Sequence, residues 1–262
     1  MITGKCTIMK NTLLSIPFLF LAFLPLSFYR QTSAPAAKTG TVKITFVNTV
    51  KGVPVELNTG SYANPFNEVY TVSKFKYYIS HVSLSSTAGA FNENESYHLV
   101  DESNPNGLSF SFEANENKYQ SISFLLGVDS LKNVSGAQSG ALDPLNDMFW
   151  TWNSGYIMAK IEGNSPQSKV VNQKVEFHIG GFSGANNVLK HLTTNFPAGK
   201  VLNIQEGKTS EIIIEADIDK WWQGAHDIKI AEHPVCTTPG ALAKQFADNY
   251  SQMFSVKKII NN

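Results

Sequence analysis

Residues 69–85 read VYTVSKFKYYISHVSLS, a long run that is rich in β-branched and aromatic side chains. Side chains of these types favour strands, because they pack well on a pleated surface. The alternation of apolar and polar positions shifts near His81, and such a shift is typical of a β-bulge. This stretch therefore predicts a long strand that is kinked at His81, and with it a β-rich fold.

The same alternation recurs along the chain on both sides of this stretch. In TVKITFV, Val42, Ile44 and Phe46 share one face of a predicted half-buried strand. Turn-forming Asn, Gly and Pro residues separate the segments, and few residues are charged (16%) while 17 are Phe. We predict a mainly β, antiparallel β-sandwich-like single domain over 40–262. The other predicted strands are VPVEL (53–57), SYHLV (96–100), LSFSF (108–112), YQSISFLLGV (119–128), KVEFHIGG (174–181), VLNIQ (201–205) and TSEIIIEADI (209–218).

Only the end of the chain has a helical pattern. Leu242, Phe246, Tyr250 and Met253 recur at spacings of three and four, and Pro239 stands near the start. This pattern predicts a C-terminal amphipathic helix near 240–254 with its apolar stripe against a sheet.

The N-terminal residues have the layout of a secretory signal peptide. Lys10 follows Met9, an apolar run extends over 13–28, and small residues around Ala34 and Ala36 offer cleavage points. Residues 1–38 are therefore predicted to be a signal peptide and tether, whether translation starts at Met1 or Met9. We expect export to the periplasm, the cell surface or the medium, with no membrane span in the mature protein. An uncleaved anchor is the alternative.

The charge balance argues against a polyanionic partner. Lys plus Arg and Asp plus Glu number 21 each, and no basic stripe is present, so nucleic acid is discounted. Removal of the leader removes Cys6, which leaves Cys236 without an intramolecular partner.

The loop over 129–147 carries the acidic residues Asp129, Asp143 and Asp147 among Ser and Asn oxygens. Such oxygens could hold a hard cation such as calcium. Their spacing does not match an EF-hand loop, and turn formation alone explains Asp and Asn here.

Two tryptophans follow this loop in DPLNDMFWTWNSGY, which spans 143–156. A strand from Met148 would place Trp150 and Trp152 on one face, as ordinary packing aromatics. The polar residues and the glycine directly after them indicate instead a strand end at the rim of the sheet.

The histidines show no local metal motif, since no pair has HExxH or HxH spacing. Ligands of a site built on strands come from distant positions, so local spacing does not decide the question. His98 and His178 each stand near a strand end, where a structural role is the alternative to a metal-binding one. No nucleophile elbow, P-loop or dinucleotide fingerprint is present, and the sequence offers no case for an enzyme.

Several segments taken in order resemble the MbnP-like domain family of exported bacterial proteins, many of them linked to copper. They are KFKYYISHVSLSS, YHLVDE, LLGVDS, GALDPLNDMFWTWNSGYIMAKIEG, FHIGG and ADNYSQMFSV. The resemblance implies a copper site formed by histidines, here His98 and His178, with Trp150 or Trp152 oxidised to kynurenine by a dihaem MauG-type partner. An indole nitrogen can only donate a hydrogen bond, whereas the aryl amine of kynurenine has a lone pair that can bind copper.

The chain departs from the family pattern at two places. Asn48 stands near a position where many relatives carry histidine, and Lys257 and Lys258 stand where many have a histidine-bearing tail. The alternative function is a metal-free binding or structural module for a glycan or a protein partner, for which Trp221 and Trp222 are candidates. Histidines that converge near Trp150 or Trp152 would favour metal, and scattered histidines would favour the module.

Overall fold

A computed structural model gives the structure, which describes residues 1–4, 37–136, 138–151 and 154–262. The predicted apolar leader and Trp152 lie outside the described residues. Residues Ala37–Asn262 form one compact unit by themselves.

The described chain is mainly β, as the sequence predicts. Its strands are β1 Thr39–Val50, β2 Val53–Pro54, β3 Ser61–Ala63, β4 Val69–Thr71, β5 Lys74–Ser86, β6 Gly89–Asn92, β7 Tyr97–Asp101, β8 Ser109–Asn115, β9 Asn117–Tyr119, β10 Ser121–Leu126, β11 Phe149–Thr151, β12 Gly155–Asn164, β13 Lys174–Gly180, β14 Lys190–Asn195, β15 Leu202–Ile204, β16 Thr209–Asp217, β17 Val235–Cys236 and β18 Phe254–Ile260. The α-helices are α1 Ser130–Val134 and α2 Ala241–Tyr250, and 3₁₀ turns span Pro105–Leu108, Gly140–Leu142, Pro144–Asn146, Val171–Gln173, Gly184–Asn186 and Ile218–Trp221.

Strand β5 organises the larger sheet, and its kink is the predicted one. His81 has φ of 53°, and two residues of β5, 81 and 82, lie opposite the single residue Phe124 of β10. This arrangement is a β-bulge. On one edge β5 pairs with β12 as far as Tyr77 and with β10 from Ile79 onward. Strands β7 and β6 occupy its other edge.

The strands form two main sheets. The larger has the order β14-β10-β5-β12-β13-β17, and the smaller has the order β18-β16-β1-β2, with β8 also paired to β1. Most pairs are antiparallel, but β1–β16 and β13–β17 are parallel. The predicted antiparallel sandwich-like class is confirmed, and these two parallel pairs are exceptions that the sequence did not reveal. Alternation reveals which residues share a face, but it does not reveal strand direction.

Aromatic side chains join the inner faces of the two sheets. The ring centroid of Phe46 on β1 lies 5.7 Å from that of Tyr77 on β5. Phe254 on β18 contacts Tyr77 at 5.5 Å and Phe124 at 5.2 Å. These edge-to-face contacts close a core between the sheets, in keeping with the sandwich-like prediction.

The C-terminal helix is shorter than predicted. Helix α2 ends at Tyr250, and the chain enters strand β18 at Phe254. Phe246 is fully buried, with its ring 4.6 Å from that of Phe177 on β13, so the apolar stripe packs on the sheet as expected. Among the residues that the structure describes, no helix combines the length and the apolarity needed to cross a membrane.

The tryptophan pair at 221–222 is part of the core. Trp221 and Trp222 are both 0% exposed. The ring of Trp221 packs on Tyr250 at 4.8 Å, and that of Trp222 packs on Tyr70 at 5.0 Å. The suggestion that these side chains form a glycan-binding or protein-binding surface is therefore wrong.

Candidate functional site

The outer face of the larger sheet carries two rows of charged side chains. Register places Lys76, Lys160 and His178 side by side across β5, β12 and β13. The next row along the strands consists of Lys74, Glu162 and Glu176. We call the six residues of these two rows the charged face. Residues between them on the same strands, such as Phe177, point into the core.

Three side chains of the charged face converge. His178 Nε2 lies 2.9 Å from Glu162 Oε1 and 3.6 Å from Glu176 Oε1. One ligand atom from each of the three residues lies within 4.8 Å of the others, and no other such group of three or more metal-ligating side chains occurs among the described residues. Burial and the neighbouring Lys160 lower the pKa of His178 below its ordinary value, against the pull of the two carboxylates. The neutral imidazole is the form that binds metals.

A buried lysine lies beside this group. Lys160 is 1% exposed and donates to the backbone carbonyl of Asp147. Its Nζ also lies 3.0 Å from the Asp147 carboxylate and 3.8 Å from that of Glu162. Partial burial acts to raise the pKa of Asp147, but Lys160 and Lys74 lower it to about 2. A buried ammonium requires such partners, so Asp147 holds the loop against the charged face.

The tryptophan segment crosses the same face. Trp150 is half-buried, and its ring lies against Gly180, the last residue of β13. Its Cζ3 and Cη2 atoms lie 2.5 and 2.9 Å from the point where a Cβ on residue 180 would stand. Gly180 shares its side of β13 with His178, two residues earlier. Trp150, on β11, therefore packs against the same face of β13 on which His178 stands.

His98 lies on the opposite face of the sheet. It pairs with Ile79 of β5, one step out of phase with the row that holds Lys76 and His178. Its ring stacks on Phe110 with centroids 3.5 Å apart, and its Nε2 lies 3.0 Å from the Glu93 carboxylate. His98 and His178 do not converge, and one ion cannot bind both in this arrangement.

The three aspartates of the 129–147 loop have separate partners. Asp129 caps α1 and contacts both His81 and Tyr97. Asp143 accepts from the backbone of the following 3₁₀ turn, and Asp147 binds the lysines described above. Their carboxylates serve capping and ion pairing, which gives the calcium hypothesis no support.

The two departures from the family pattern have structural roles. Asn48 is buried, with its amide donating to Glu102 at 2.7 Å and its carbonyl accepting from Tyr77 at 2.9 Å. Lys257 forms an ion pair with Glu215 at 2.9 Å on the smaller sheet. Neither position offers a nitrogen lone pair to a metal.

Sequence reasoning missed part of this site. Strand β12 reads as a continuous apolar run that contains Lys160, so no alternation marks it as a strand. Glu176 and His178 were visible as the polar phase of KVEFHIGG, but their partner Glu162 was not. A charged residue inside an apolar run was the available signal, because such a residue needs buried partners.

Comparison with known proteins assigns this architecture to a family. The family model MbnP matches residues 39–238. The solved structure of MbnP from Methylosinus trichosporium superposes with a TM-score of 0.55 at 14% identity, and the match covers 86% of this chain and 99% of that one. No curated protein matches the chain. At this identity the structural likeness concerns the fold.

Proposed function

The chain belongs to the MbnP family, and from that premise we propose that it is an exported copper-binding protein. The proposed metal site is the charged face, with His178, Glu162 and Glu176 as ligands and Trp150 as the neighbouring oxidisable ring. The observation that carries this proposal is the convergence of these three side chains within 4.8 Å, on the face of β13 that Trp150 covers.

The donor set supports a divalent ion. An imidazole with carboxylate oxygens is a borderline-to-hard ligand set, and copper stands at the top of the affinity order among divalent first-row metals. Lys74 lies 3.2 Å from Glu162, and Lys174 lies 2.9 Å from Glu176. An incoming ion must displace or share these ammonium groups, so we expect moderate affinity from the unmodified protein.

Oxidation of the tryptophan would strengthen the site. Conversion of Trp150 to kynurenine would be a four-electron oxidation that consumes three water molecules and releases the ring carbon beside the indole nitrogen as formic acid. A dihaem MauG-type partner would accept the electrons, and an aryl amine would replace the indole. The amine supplies a nitrogen lone pair that can bind a metal, which the indole lacks. Trp150 is half-buried rather than enclosed, which suits attack from a partner at the surface.

Copper titration of the purified domain tests the site. Loss of the imidazole by His178→Ala should weaken Cu²⁺ binding by at least about tenfold, because one of three ligands is lost. His98→Ala is the matched control, since His98 is also paired to a glutamate but lies on the opposite face, and it should leave binding unchanged. Equal binding by the wild type and His178→Ala would contradict the site.

Oxidation has its own readout. Co-expression with a dihaem partner should give the peptide that contains Trp150 a mass increase equal to one oxygen gained and one carbon lost. An unchanged peptide mass would contradict the oxidation of Trp150 but would not affect the result of the copper titration.

Sequencing of the native N-terminus tests export, which predicts a start between residues 31 and 38; a retained Met1 or Met9 would contradict cleavage.

A metal-free module is the second candidate, and one observation favours it. Lysines already neutralise the carboxylates of the charged face, as a structural ion-pair network would require. The metal-free module would be favoured if native protein contains no metal and the wild type does not bind copper in the titration.

A further inference from the structure

A gap in strand pairing opens along one edge of β1. This edge is paired with β8 as far as Thr45 and with β2 from Thr49. Between them, residues 46–47 have no strand partner on this edge within the described part of the chain, and the backbone carbonyl of Asn48 accepts from the Val55 amide at 3.0 Å. The other edge of β1 pairs continuously with β16 as far as Thr49. The gap is therefore local to one edge, between the ends of two neighbouring strands.

A cleft of about 430 Å³ occupies this gap. Phe46, Pro54, Pro105 and Leu108 supply apolar lining, and Glu102 provides a carboxylate. A volume of several hundred Å³ with an apolar lining and few polar groups is typical of small-molecule sites.

Buried hydrogen bonds hold the carboxylate in the cleft. Tyr77 is fully buried, and its hydroxyl donates to the side-chain Oδ1 of Asn48 at 2.9 Å, which fixes the orientation of the side-chain amide. The Asn48 amide, 3% exposed, then donates to Glu102 Oε2 at 2.7 Å. An acceptor held by such a chain keeps its position before a ligand arrives, which reduces the entropic cost of binding.

Glu102 differs from the two glutamates of β16 in having no ion pair among the described residues. Among the described residues no lysine or histidine forms an ion pair with it, whereas Glu211 and Glu215 each bind a lysine. Lys43 also lines the cleft, but its ammonium lies 3.0 Å from Glu211. Burial, together with the neighbouring Asp101, raises the pKa of Glu102 above its ordinary value. A half-buried carboxylate without a countercharge favours a cationic ligand.

We propose that this cleft binds a small primary amine with an apolar body, its ammonium on Glu102 and its apolar part against Phe46, Pro105 and Leu108. Charge complementarity selects the ammonium, and the apolar lining selects the body. The site is distinct from the charged face and does not depend on metal.

Binding of hexylamine, followed by NMR shifts of cleft residues in the metal-free domain, tests the proposal. We expect saturable binding by the wild type and a loss of at least about tenfold in Glu102→Gln, which keeps the shape of the side chain but removes its charge. Glu113→Gln on β8 is the control, because Glu113 is an exposed glutamate without a role in the cleft, and it should bind as the wild type does. Glu102→Asp should retain part of the affinity.

Hexanol separates charge recognition from apolar binding, since it has the same body without the ammonium. Equal binding of hexanol and hexylamine would overturn the proposal, as would equal hexylamine binding by the wild type and Glu102→Gln. Thermal unfolding of each variant shows whether a loss of binding reflects a loss of fold. If Glu102→Gln does not fold, an absence of hexylamine binding by the wild type still overturns the proposal, and weaker binding of hexanol than of hexylamine supports it.

Discussion

The two faces of β12 and β13 are stabilised by different interactions, apolar burial on one and ion pairing on the other. On the inner face Ile161, Phe177 and Ile179 are 0–1% exposed, and the ring of Phe177 packs against those of Trp222 and Phe246. On the outer face these strands and β5 present the charged face, whose residues form ion pairs with one another and with Asp101, Asp147 and Lys174. Apolar burial is non-directional and tolerates changes in detail, whereas the position of each charged group depends on its partners. The apolar burial that stabilises the domain therefore lies mainly on one face, and the titratable side chains lie on the other.

Truncation on the inner face should have the largest effect. Phe246→Ala removes a fully buried ring that contacts Phe177 and Trp221, and we expect a loss of about 3–5 kcal/mol in the free energy of unfolding. Denaturant unfolding measures it. Lys244→Ala, exposed on the same helix, is the control and should change stability by less than about 0.5 kcal/mol. A similar small change in Phe246→Ala would mean that α2 does not dock on the larger sheet.

An added methyl group on the outer face should have a smaller effect. Gly180→Ala places a Cβ 2.5 Å from the ring of Trp150, so the ring must move. We expect a cost of about 1–3 kcal/mol and altered tryptophan emission, because overpacking shifts neighbouring groups. Gly240→Ala, where a Cβ meets nothing within 4 Å, should leave both unchanged. Unaltered emission in Gly180→Ala would place Trp150 away from β13.

Removal of one charge tests the coupling within the charged face. Asp147→Ala takes a carboxylate from buried Lys160, which keeps the backbone carbonyl and Glu162 as partners. We expect a loss of about 1–2 kcal/mol, between the value for an exposed ion pair and that for a buried charge left alone. Asp143→Ala, whose carboxylate caps a 3₁₀ turn, separates loss of charge pairing from loss of a turn cap. Should both variants lose the same stability, Lys160 does not depend on the Asp147 carboxylate.

The smallest effect concerns pH. The pKa of His178 is lowered from 6.5 by burial and by Lys160, so between its folded and unfolded pKa values the unfolded chain binds more protons. Stability should therefore fall as pH falls below about 6.5, and His178→Gln should flatten this part of the profile. The free energy of unfolding measured between about pH 5 and 8 provides the check. His233→Gln, an exposed histidine in a loop, controls for the loss of an imidazole, and an unchanged slope in His178→Gln would contradict the prediction.

Local pattern was sufficient for several elements. The shift in alternation at His81 located the bulge, because a bulge changes which side of the strand each later residue faces. The stripe from Leu242 to Tyr250 located α2, because residues at spacings of three and four lie on one side of a helix. The same stripe continues through Met253, and this led the helix prediction into β18; Met253 is buried beyond the helix end. Strand β12 was missed because both of its faces are largely buried, which removes the alternation.

The sequence by itself determined the β-rich class, the segments that alternate, and the family, since each depends on residue order along the chain. Only the tertiary structure decided which chemical groups meet. His98 and His178 look alike in sequence, each near a strand end, yet one step of register places them on opposite faces of a sheet. Glu162, absent from the expected ligands, joins His178 because β12 and β13 are neighbours. Pairing and register arise from contacts between distant segments, and local pattern does not encode these contacts.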